Sequence, residues 1–281
     1  MTFIRRWRRP GVQPLSVFDL PLDDGLFWER VGAPRSEALR GDGRSARAIG
    51  EEFASHTAAA LHRLRDRFAL DAAWIAGGLT LLPGFGEVLH ASTDLPLTID
   101  DNGLFAGEAG GFRLLQDAEL PGAVIDVGQT SIKASCRGRR LIRQRDRAAL
   151  PVEWIDPEGR PPARSATRLE TAARFIGDAI ADALSAADTS EARLVLALPC
   201  ALDAACVPGP CTYGFEDEPR LVQDALEHAE SRLATCRIHE AIVLNDAELA
   251  AESALAIAGA VSHARTLVLT LGFGPGAALI G

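Results

Sequence analysis

The stretch Gly122-Ala-Val-Ile-Asp126-Val-Gly128-Gln-Thr130-Ser-Ile-Lys133 is the most informative part of the sequence. An apolar strand runs into an Asp-x-Gly-x-Thr turn, and a second strand follows. A Gly lets the backbone approach a phosphate, a Thr hydroxyl and backbone N–H groups donate to its oxygens, and an acidic residue can orient a magnesium-bound water. The stretch therefore predicts a phosphate-binding turn. An ordinary hairpin is the alternative, because Gly and Thr also favour hairpin turns for conformational reasons.

Length and composition indicate a globular protein with a large core. The chain has 281 residues, of which 47% are hydrophobic and 24% charged, so two lobes are expected. The formal net charge of −9 disfavours a general nucleic-acid binder, which would have to neutralise phosphates. No apolar run reaches the roughly eighteen residues of a membrane span, and the N-terminus lacks the hydrophobic core of a secretion signal. We therefore expect no membrane contact and a cytoplasmic location.

Two further clusters have both an ordinary and a functional interpretation. Arg5, Arg6, Arg8 and Arg9 surround Trp7, which is typical of a charged edge strand, with nucleic-acid or membrane contact as the alternative. The five cysteines show no Cys-x-x-Cys spacing, which favours free thiols in a reducing compartment. Three of them lie on one loop and, together with a histidine, could form a metal site, although zinc ligands usually come in closer pairs. These four residues are Cys200, Cys206, Cys211 and His239.

Hydrophobic periodicity predicts helices and strands that alternate along the chain. Helices are expected at residues 45–70, 104–115, 168–186 and 219–235, and after Asn245-Asp246. Strands are expected at residues 72–76, 95–99, 194–198, 241–244 and 266–271, besides the hairpin around Asp126. This pattern predicts a mixed α/β protein with two lobes. At the boundary between strand and helix, Asp246 has the ordinary alternative role of a helix N-cap.

Four segments taken together resemble the motifs of ROK-type sugar kinases, which belong to the actin-like ATPase superfamily. They are similar, in turn, to the phosphate 1, catalytic, phosphate 2 and adenosine segments of that family: Asp126-x-Gly128-x-Thr130, Leu244-Asn245-Asp246-Ala247, Leu271-Gly272-x-Gly274-x-Gly276 and Ile75-Ala-Gly77-Gly78-Leu79. The resemblance implies a two-lobed, ribonuclease H-like α/β fold. It continues in residues 16–22 and 26–39, and so covers nearly the whole chain.

The order of these segments differs from that of the family. There the adenosine segment and a small-residue helix come last, whereas here residues 75–115 precede phosphate 1. The resemblance therefore implies a circular permutation in which the helix at 104–115 is joined through residues 116–121 to the family's first strand. Such a change is tolerated when it cuts an exposed turn and joins ends that lie close together.

The permutation leads to predicted lobe boundaries. We expect an adenine-binding lobe of residues 1–100 plus 262–281, and a lobe of residues 101–261 that carries phosphate 1, the substrate site and the connecting helix. Residues 267–281 and 2–7 are expected to pair as the two antiparallel arms of one cut hairpin.

As a member of this family, the protein would use ATP and Mg²⁺ to phosphorylate a hydroxyl of a sugar or a similar small polyol. The resemblance makes Asp246 the general base, Asn245 a sugar contact and Asp126 the residue that holds Mg²⁺ through water. The other implied ATP-binding residues are Gly128, Thr130, Lys133, Gly272, Gly274 and Gly276 at the phosphates, and Gly77 and Gly78 at adenine. Lys133 is the only lysine in the chain. The resemblance leaves a homodimer open.

Four positions depart from the family pattern. Ser16 and Asp19 stand where the family has a sugar-contacting Glu and a His, and Phe273 replaces the Thr of the phosphate 2 loop. Pro275 removes a backbone donor from the same loop. These departures favour an alternative function, a nucleotide or sugar sensor without catalysis, whereas the retained acidic residues favour the enzyme. A ROK-type repressor is a third alternative, but no helix-turn-helix segment precedes the kinase-like core.

Overall fold

The computed structural model describes residues 2–15, 21–22, 25–26, 45–116, 120–152, 165–185, 189–258, 265–272 and 275–281. Ser16, Asp19, residues 27–39, Phe273 and Gly274 therefore lie outside the described residues. The chain divides into two compact units. The first comprises Met1–Arg8 and Gly107–Leu249, and the second Arg9–Ala106 and Ala250–Gly281.

The elements alternate as the sequence predicts, which confirms the mixed α/β class. In chain order the strands are β1 (Phe3–Arg6), β2 (Val12–Leu15), β3 (Pro21–Leu22), β4 (Gly25–Leu26), β5 (Ala72–Ala76), β6 (Leu97–Ile99), β7 (Gly122–Val127), β8 (Ser131–Cys136), β9 (Arg139–Gln144), β10 (Glu191–Leu198), β11 (Arg237–Asn245), β12 (Thr266–Leu271) and β13 (Pro275–Ile280). The helices are α1 (Ala46–Phe68), α2 (Phe85–Ser92), α3 (Glu108–Leu115), α4 (Ala166–Leu184), α5 (Leu221–Arg232) and α6 (Asp246–Ala258). Short 3-10 helices cover Gly78–Leu81 and Gly103–Phe105.

The first unit is built on a six-stranded sheet in the order β9-β8-β7-β10-β11-β1. Strands β7, β8 and β9 form an antiparallel meander, and β10, β11 and β1 run parallel to β7. The apolar runs of β10 and β11 are covered on both faces, as is usual for parallel strands. Ile125 packs with residues of α4 and α5 on one face, whereas Val124 packs with Leu115 of α3 and Leu249 of α6 on the other.

The second unit contains a five-stranded sheet in the order β2-β13-β12-β5-β6. Here β12, β13 and β2 are antiparallel neighbours, and β5 and β6 run parallel to β12. Helices α1 and α2 cover one face through residues such as Phe53 and Leu89. The order and directions of these five strands match those of β9-β8-β7-β10-β11 in the first sheet. The two sheets differ in that β2, the strand equivalent to β9, comes early in the chain, before the strands that it accompanies. Next to the β2–β13 pair, the Gly281 N–H donates to the Gly11 carbonyl at 3.0 Å.

The predicted pairing of residues 2–7 with residues 267–281 is wrong. Strand β1 lies parallel to β11 at the edge of the first sheet, and β2 is the strand that pairs with β13. The arginines of β1 explain why this strand lies beside β11, because they form ion pairs with acidic side chains of β11 and α6. Arg5 Nε lies 2.9 Å from Glu240 Oε1, and Arg6 Nη2 lies 2.7 Å from Glu248 Oε2 with both side chains almost fully buried. Arg5 and Arg6 thus lie on a charged edge strand, as one interpretation of the basic cluster predicts, whereas Arg8 and Arg9 follow the strand.

The observed units also differ from the predicted lobe boundaries. Residues 1–8 belong with the phosphate 1 segment because β1 completes that sheet, whereas residues 101–106 and 250–261 belong to the second unit. The predicted helix at 104–115 is instead a short 3-10 helix followed by α3, which begins at Glu108. At Gly107, between the two, the Leu249 side chain occupies the position that a Cβ would take. Among the described residues, no helix is both long enough and apolar enough to cross a membrane.

Candidate active site

The Asp126 segment forms a hairpin whose turn lies under Lys133. Strands β7 and β8 pair with Asp126 opposite Lys133, and Lys133 Nζ lies 3.5 Å from Asp126 Oδ2. The Gly128 N–H closes the turn on the Ser131 carbonyl at 3.0 Å. A Cβ at position 128 would lie 2.5 Å from Lys133 Nζ and 3.1 Å from the Ser131 carbonyl oxygen, so the lysine ammonium passes close over the glycine. The hairpin interpretation of this stretch is therefore confirmed, and phosphate binding by its turn stays a prediction.

Strands β7, β10 and β11 end at one edge of the first sheet. Asp126 is in register with Ala197 of β10, and Leu198 is in register with Asn245 of β11. Because the carboxyl ends of parallel strands meet at one edge, this arrangement brings Asp126 and Asp246 together. It is the edge at which open α/β sheets bind their ligands.

The start of α6 is capped by Asn245 rather than by Asp246. Asn245 Oδ1 accepts a hydrogen bond from the Ala247 N–H at 2.9 Å, and Glu248 Oε2 accepts one from the Asn245 N–H at 2.8 Å. The bond to Glu248 is the one found in a capping box, and the bond from Ala247 is an ordinary N-cap bond to the second helical N–H. Asn245 Nδ2 also donates to the Cys200 carbonyl at 2.8 Å. The ordinary role foreseen for Asp246 is thus filled by its neighbours, although Asp246 Oδ1 also accepts from the Ala247 N–H.

The electrostatics of this edge favour a proton acceptor at Asp246. Burial of the carboxylate, followed by the negative charge of Asp126, raises the pKa of Asp246 to about 7, against the opposing effects of the Ala247 N–H and Lys133. A carboxylate beside a second carboxylate resists ionisation, because like charges disfavour each other. A pKa near the working pH is the property that general acid–base catalysis needs.

Two buried thiols lie close to this edge. Cys200 and Cys211 are hydrogen bonded to each other, and this contact together with burial and the nearby Asp246 raises the pKa of Cys200. In the described part of the chain, no group of three or more His, Cys, Asp or Glu side chains is arranged so that it could hold a metal ion, the cysteine loop with His239 included. His239 is exposed on β11, whereas the cysteines are buried.

The predicted adenosine and phosphate 2 residues lie in the second unit. Gly77 has a φ of +106°, and a Cβ there would lie 2.4 Å from the Leu271 carbonyl oxygen at the end of β12, next to Gly272. A Cβ on Gly78 would meet the Leu104 side chain at 2.8 Å. The Gly276 carbonyl accepts from Thr270 Oγ1 at 3.1 Å. The structure thus brings Gly77 and Gly78 beside the phosphate 2 strand within this unit, and their nucleotide contacts stay predictions.

Two side chains that the sequence did not single out contact the phosphate 1 turn. Arg145 follows β9, and Tyr213 lies on the loop after β10; both are buried. Tyr213 is the only tyrosine in the chain. Nothing in spacing or composition distinguishes Arg145 from the other arginines.

Comparisons with known proteins return structural similarity only. No protein-family model matches the chain, and no curated protein matches it. The solved structure of a ROK hexokinase from Thermus thermophilus is similar over 73% of this chain and 85% of that chain, with 14% sequence identity and a TM-score of 0.38. The structure of a candidate sugar kinase from Cytophaga hutchinsonii is similar over 78% of this chain and 88% of that chain, with 12% identity and a TM-score of 0.36. The functional proposal therefore rests on the residues of this chain.

Proposed function

We propose that this protein transfers the γ-phosphoryl group of ATP to a hydroxyl of a sugar or a similar small polyol, with Asp246 as the general base. The observation that carries the proposal is a carboxylate with a pKa of about 7 that is not needed as a helix cap. It stands at the carboxyl edge of parallel strands, beside Asp126 and Lys133. In this position it can accept the proton of a hydroxyl as the oxygen attacks phosphorus.

The phosphate 1 turn supplies the groups for a nucleotide phosphate. Lys133 provides a positive charge, Thr130 a partly exposed hydroxyl, and Gly128 leaves space for the Lys133 ammonium beside the turn. Asp126 fits a magnesium site, because Mg²⁺ is usually held through one or two carboxylates, waters and the phosphates of the substrate. Asp126 would hold the ion through water, and the ion would neutralise charge on the transferred group.

The remaining proposed contacts are assigned from the resemblance. Asn245 is proposed to touch a sugar hydroxyl, although its side chain first serves the cap of α6 and the Cys200 carbonyl. In the second unit the proposed ATP contacts are Gly77, Gly78, Gly272, Gly274 and Gly276. A homodimer and a cytoplasmic location stay predictions.

We also propose that the chain is a circularly permuted relative of ROK-type kinases. The support is that the two sheets share one strand order, yet only the first is built from a continuous β7-β8-β9 meander. In the second sheet the equivalent meander consists of β12 and β13 near one end of the chain and β2 near the other. Cutting a hairpin between its second and third strands produces this arrangement without changing the sheet.

The pH dependence of turnover is expected to follow Asp246. A general base works when it is deprotonated, and the pKa of Asp246 is about 7. We therefore expect kcat/KM, which reports ionisations of the free protein, to rise about tenfold for each pH unit below 7 and to level off above it. The measurement is steady-state ADP release in the presence of Mg²⁺, with ATP and acceptor well below saturation, between about pH 5.5 and 9. A profile that is flat across pH 7, with chemistry shown to limit the rate, would contradict the role of Asp246.

The function itself is tested by challenging the protein with Mg²⁺, ATP and a panel of sugars and small polyols. We expect ADP release that depends on one class of acceptor. Tight binding of ATP or of a sugar with no acceptor-dependent ADP release would instead favour the sensor.

A further inference from the structure

Three successive carbonyl oxygens of the phosphate 1 turn accept hydrogen bonds from only two residues, Tyr213 and Arg145. The Gly128 carbonyl accepts from the Tyr213 hydroxyl at 2.8 Å. The Gln129 carbonyl accepts from Arg145 Nη1 at 3.0 Å, and the Thr130 carbonyl accepts from the Arg145 backbone N–H at 2.9 Å. In a trans peptide the C=O and N–H groups point in opposite directions. Fixing the carbonyls of residues 128 and 129 therefore directs the N–H groups of Gln129 and Thr130 away from Arg145 and Tyr213.

From this arrangement we infer that Arg145 and Tyr213 are positioning residues, which hold the turn so that its backbone N–H groups are presented to a nucleotide phosphate. Successive backbone N–H groups with a common direction form an anion-binding concavity. The inference rests on the proposed function for the identity of the anion. It adds to that function a means by which the turn is ordered before ATP binds, which lowers the entropic cost of binding.

Arg145 is itself fixed by the protein. Its guanidinium has five N–H donors, and all five are used. They donate to the Gln129, Leu150, Pro151 and Thr212 carbonyls and to the Thr212 hydroxyl, at distances of 2.6 to 3.0 Å. The guanidinium also lies 3.8 Å from the centre of the Tyr213 ring. Because no donor is left over, Arg145 acts through the turn and does not touch a phosphate.

Tyr213 is suited to the same role. Its ring is buried and stacks on Phe215, with the ring centroids 5.3 Å apart. Burial raises the pKa of Tyr213 above its ordinary value, which keeps the hydroxyl protonated and able to donate. The adjacent Thr212 hydroxyl contacts the Gln129 side chain, whose Nε2 donates to the Pro199 carbonyl at 3.3 Å. The loop after β10 thus contacts both the backbone of the turn, at the Gly128 carbonyl, and a side chain of the turn, that of Gln129.

The experiment compares affinities for ATP, ADP and adenosine by calorimetry in three variants. Tyr213→Phe keeps the ring and removes only the hydroxyl that holds the turn. Arg145→Lys removes the fork of donors. Arg168→Lys is the matched control, because Arg168 is also buried and donates to Tyr213, Thr212 and Pro151 carbonyls at 2.7 to 3.0 Å, with no hydrogen bond to a carbonyl of the turn among the described contacts.

We expect Tyr213→Phe to weaken ATP and ADP binding about fivefold, as the loss of one hydrogen bond typically does, and to leave adenosine binding unchanged. Arg145→Lys should weaken ATP binding about tenfold or more, again with adenosine binding unchanged. Arg168→Lys should lower the melting temperature while the ratio of ATP to adenosine affinity stays that of the parent. Tyr213→Phe keeps the test valid if Arg145→Lys fails to fold.

Equal losses for ATP and adenosine, or an equal change of their ratio in Arg168→Lys, would overturn the inference and assign both residues a purely structural role. The outcome for the proposed function is separate. If the parent binds ATP, Tyr213→Phe loses phosphate affinity selectively and no hydroxyl is phosphorylated, the inference stands and the kinase proposal fails. A parent that binds neither ATP nor ADP overturns both.

Discussion

Replacing Asp246 with Asn is expected to lower kcat for phosphoryl transfer about a hundredfold or more, while the affinity for ATP stays that of the parent. General base catalysis typically contributes this much, and an amide cannot accept the proton. Affinity should persist because the groups assigned to phosphate binding, Lys133, Thr130 and the turn, are unchanged. The measurements are steady-state turnover with the responsive acceptor and calorimetric titration with ATP.

The fold should tolerate this substitution, because Asn has the size of Asp and the helix cap is made by Asn245 and Glu248. Asp224→Asn is a suitable control, since Asp224 is a half-exposed acid on α5 that pairs with Arg220 at 2.8 Å. The control should turn over at the parent rate. If Asp246→Asn also does so, Asp246 is not the base.

The same variant tests the raised pKa without any activity. The ordinary pKa of Asp is about 3.9 in an unfolded chain, whereas that of folded Asp246 is about 7. Between these values the folded state binds the proton more tightly, so this group makes stability fall as pH rises from about 4 to 7. Asp246→Asn removes this pH-dependent loss of stability, because the amide does not ionise. We expect its melting temperature to exceed that of the parent at pH 8 and the difference to shrink toward pH 4; a difference independent of pH would contradict the shift.

Replacing Gly77 with Ala is expected to destabilise the second unit by about 2–4 kcal/mol. A Cβ would lie 2.4 Å from the Leu271 carbonyl oxygen and 2.8 Å from its carbonyl carbon and nitrogen, all of them backbone atoms that cannot move without disturbing β12. The φ of +106° adds strain, because residues with a side chain rarely adopt it. Chemical denaturation followed by circular dichroism measures the loss.

Gly78→Ala is the matched control for this substitution. Its Cβ would approach only the Leu104 side chain, with Cδ2 at 2.8 Å and Cγ at 3.7 Å, and that side chain can rotate away. We expect its stability to lie within about 1 kcal/mol of the parent, since Ala also restricts the unfolded chain. Equal losses in the two variants would show that the backbone contact with Leu271 is not what requires glycine at position 77.

The sequence predicted the elements that carry the proposed chemistry because local signals mark them. An apolar run followed by Asp-x-Gly-x-Thr defines the end of β7, and the apolar run before Asn245-Asp246 defines the end of β11. Strand β9 was not predicted, because its residues, Arg139–Gln144, are largely polar and four of the six are exposed at the sheet edge. The position of β1 was mistaken because its acidic partners Glu240 and Glu248 lie more than two hundred residues away.

The positioning of the phosphate 1 turn was beyond prediction for a similar reason. Arg145 is one of many arginines, and its role depends on carbonyl groups of Gln129, Pro151 and Thr212 that only the fold brings together. The role of Asn245 was also only partly visible. A capping box can be inferred from Asn245 and Glu248, but the bond from Asn245 to the Cys200 carbonyl requires the neighbouring strand β10.

The most direct test of the proposed phosphoryl transfer follows the γ-phosphate of ATP itself. The parent protein and Asp246→Asn are incubated with Mg²⁺, γ-³²P-labelled ATP and each acceptor of the sugar and polyol panel, and the labelled products are separated. We predict that the parent moves the label into a phosphorylated sugar or polyol and that the variant does so at about one hundredth of the rate or less. Label that stays in ATP, or appears only as inorganic phosphate with every acceptor, would contradict the proposed function.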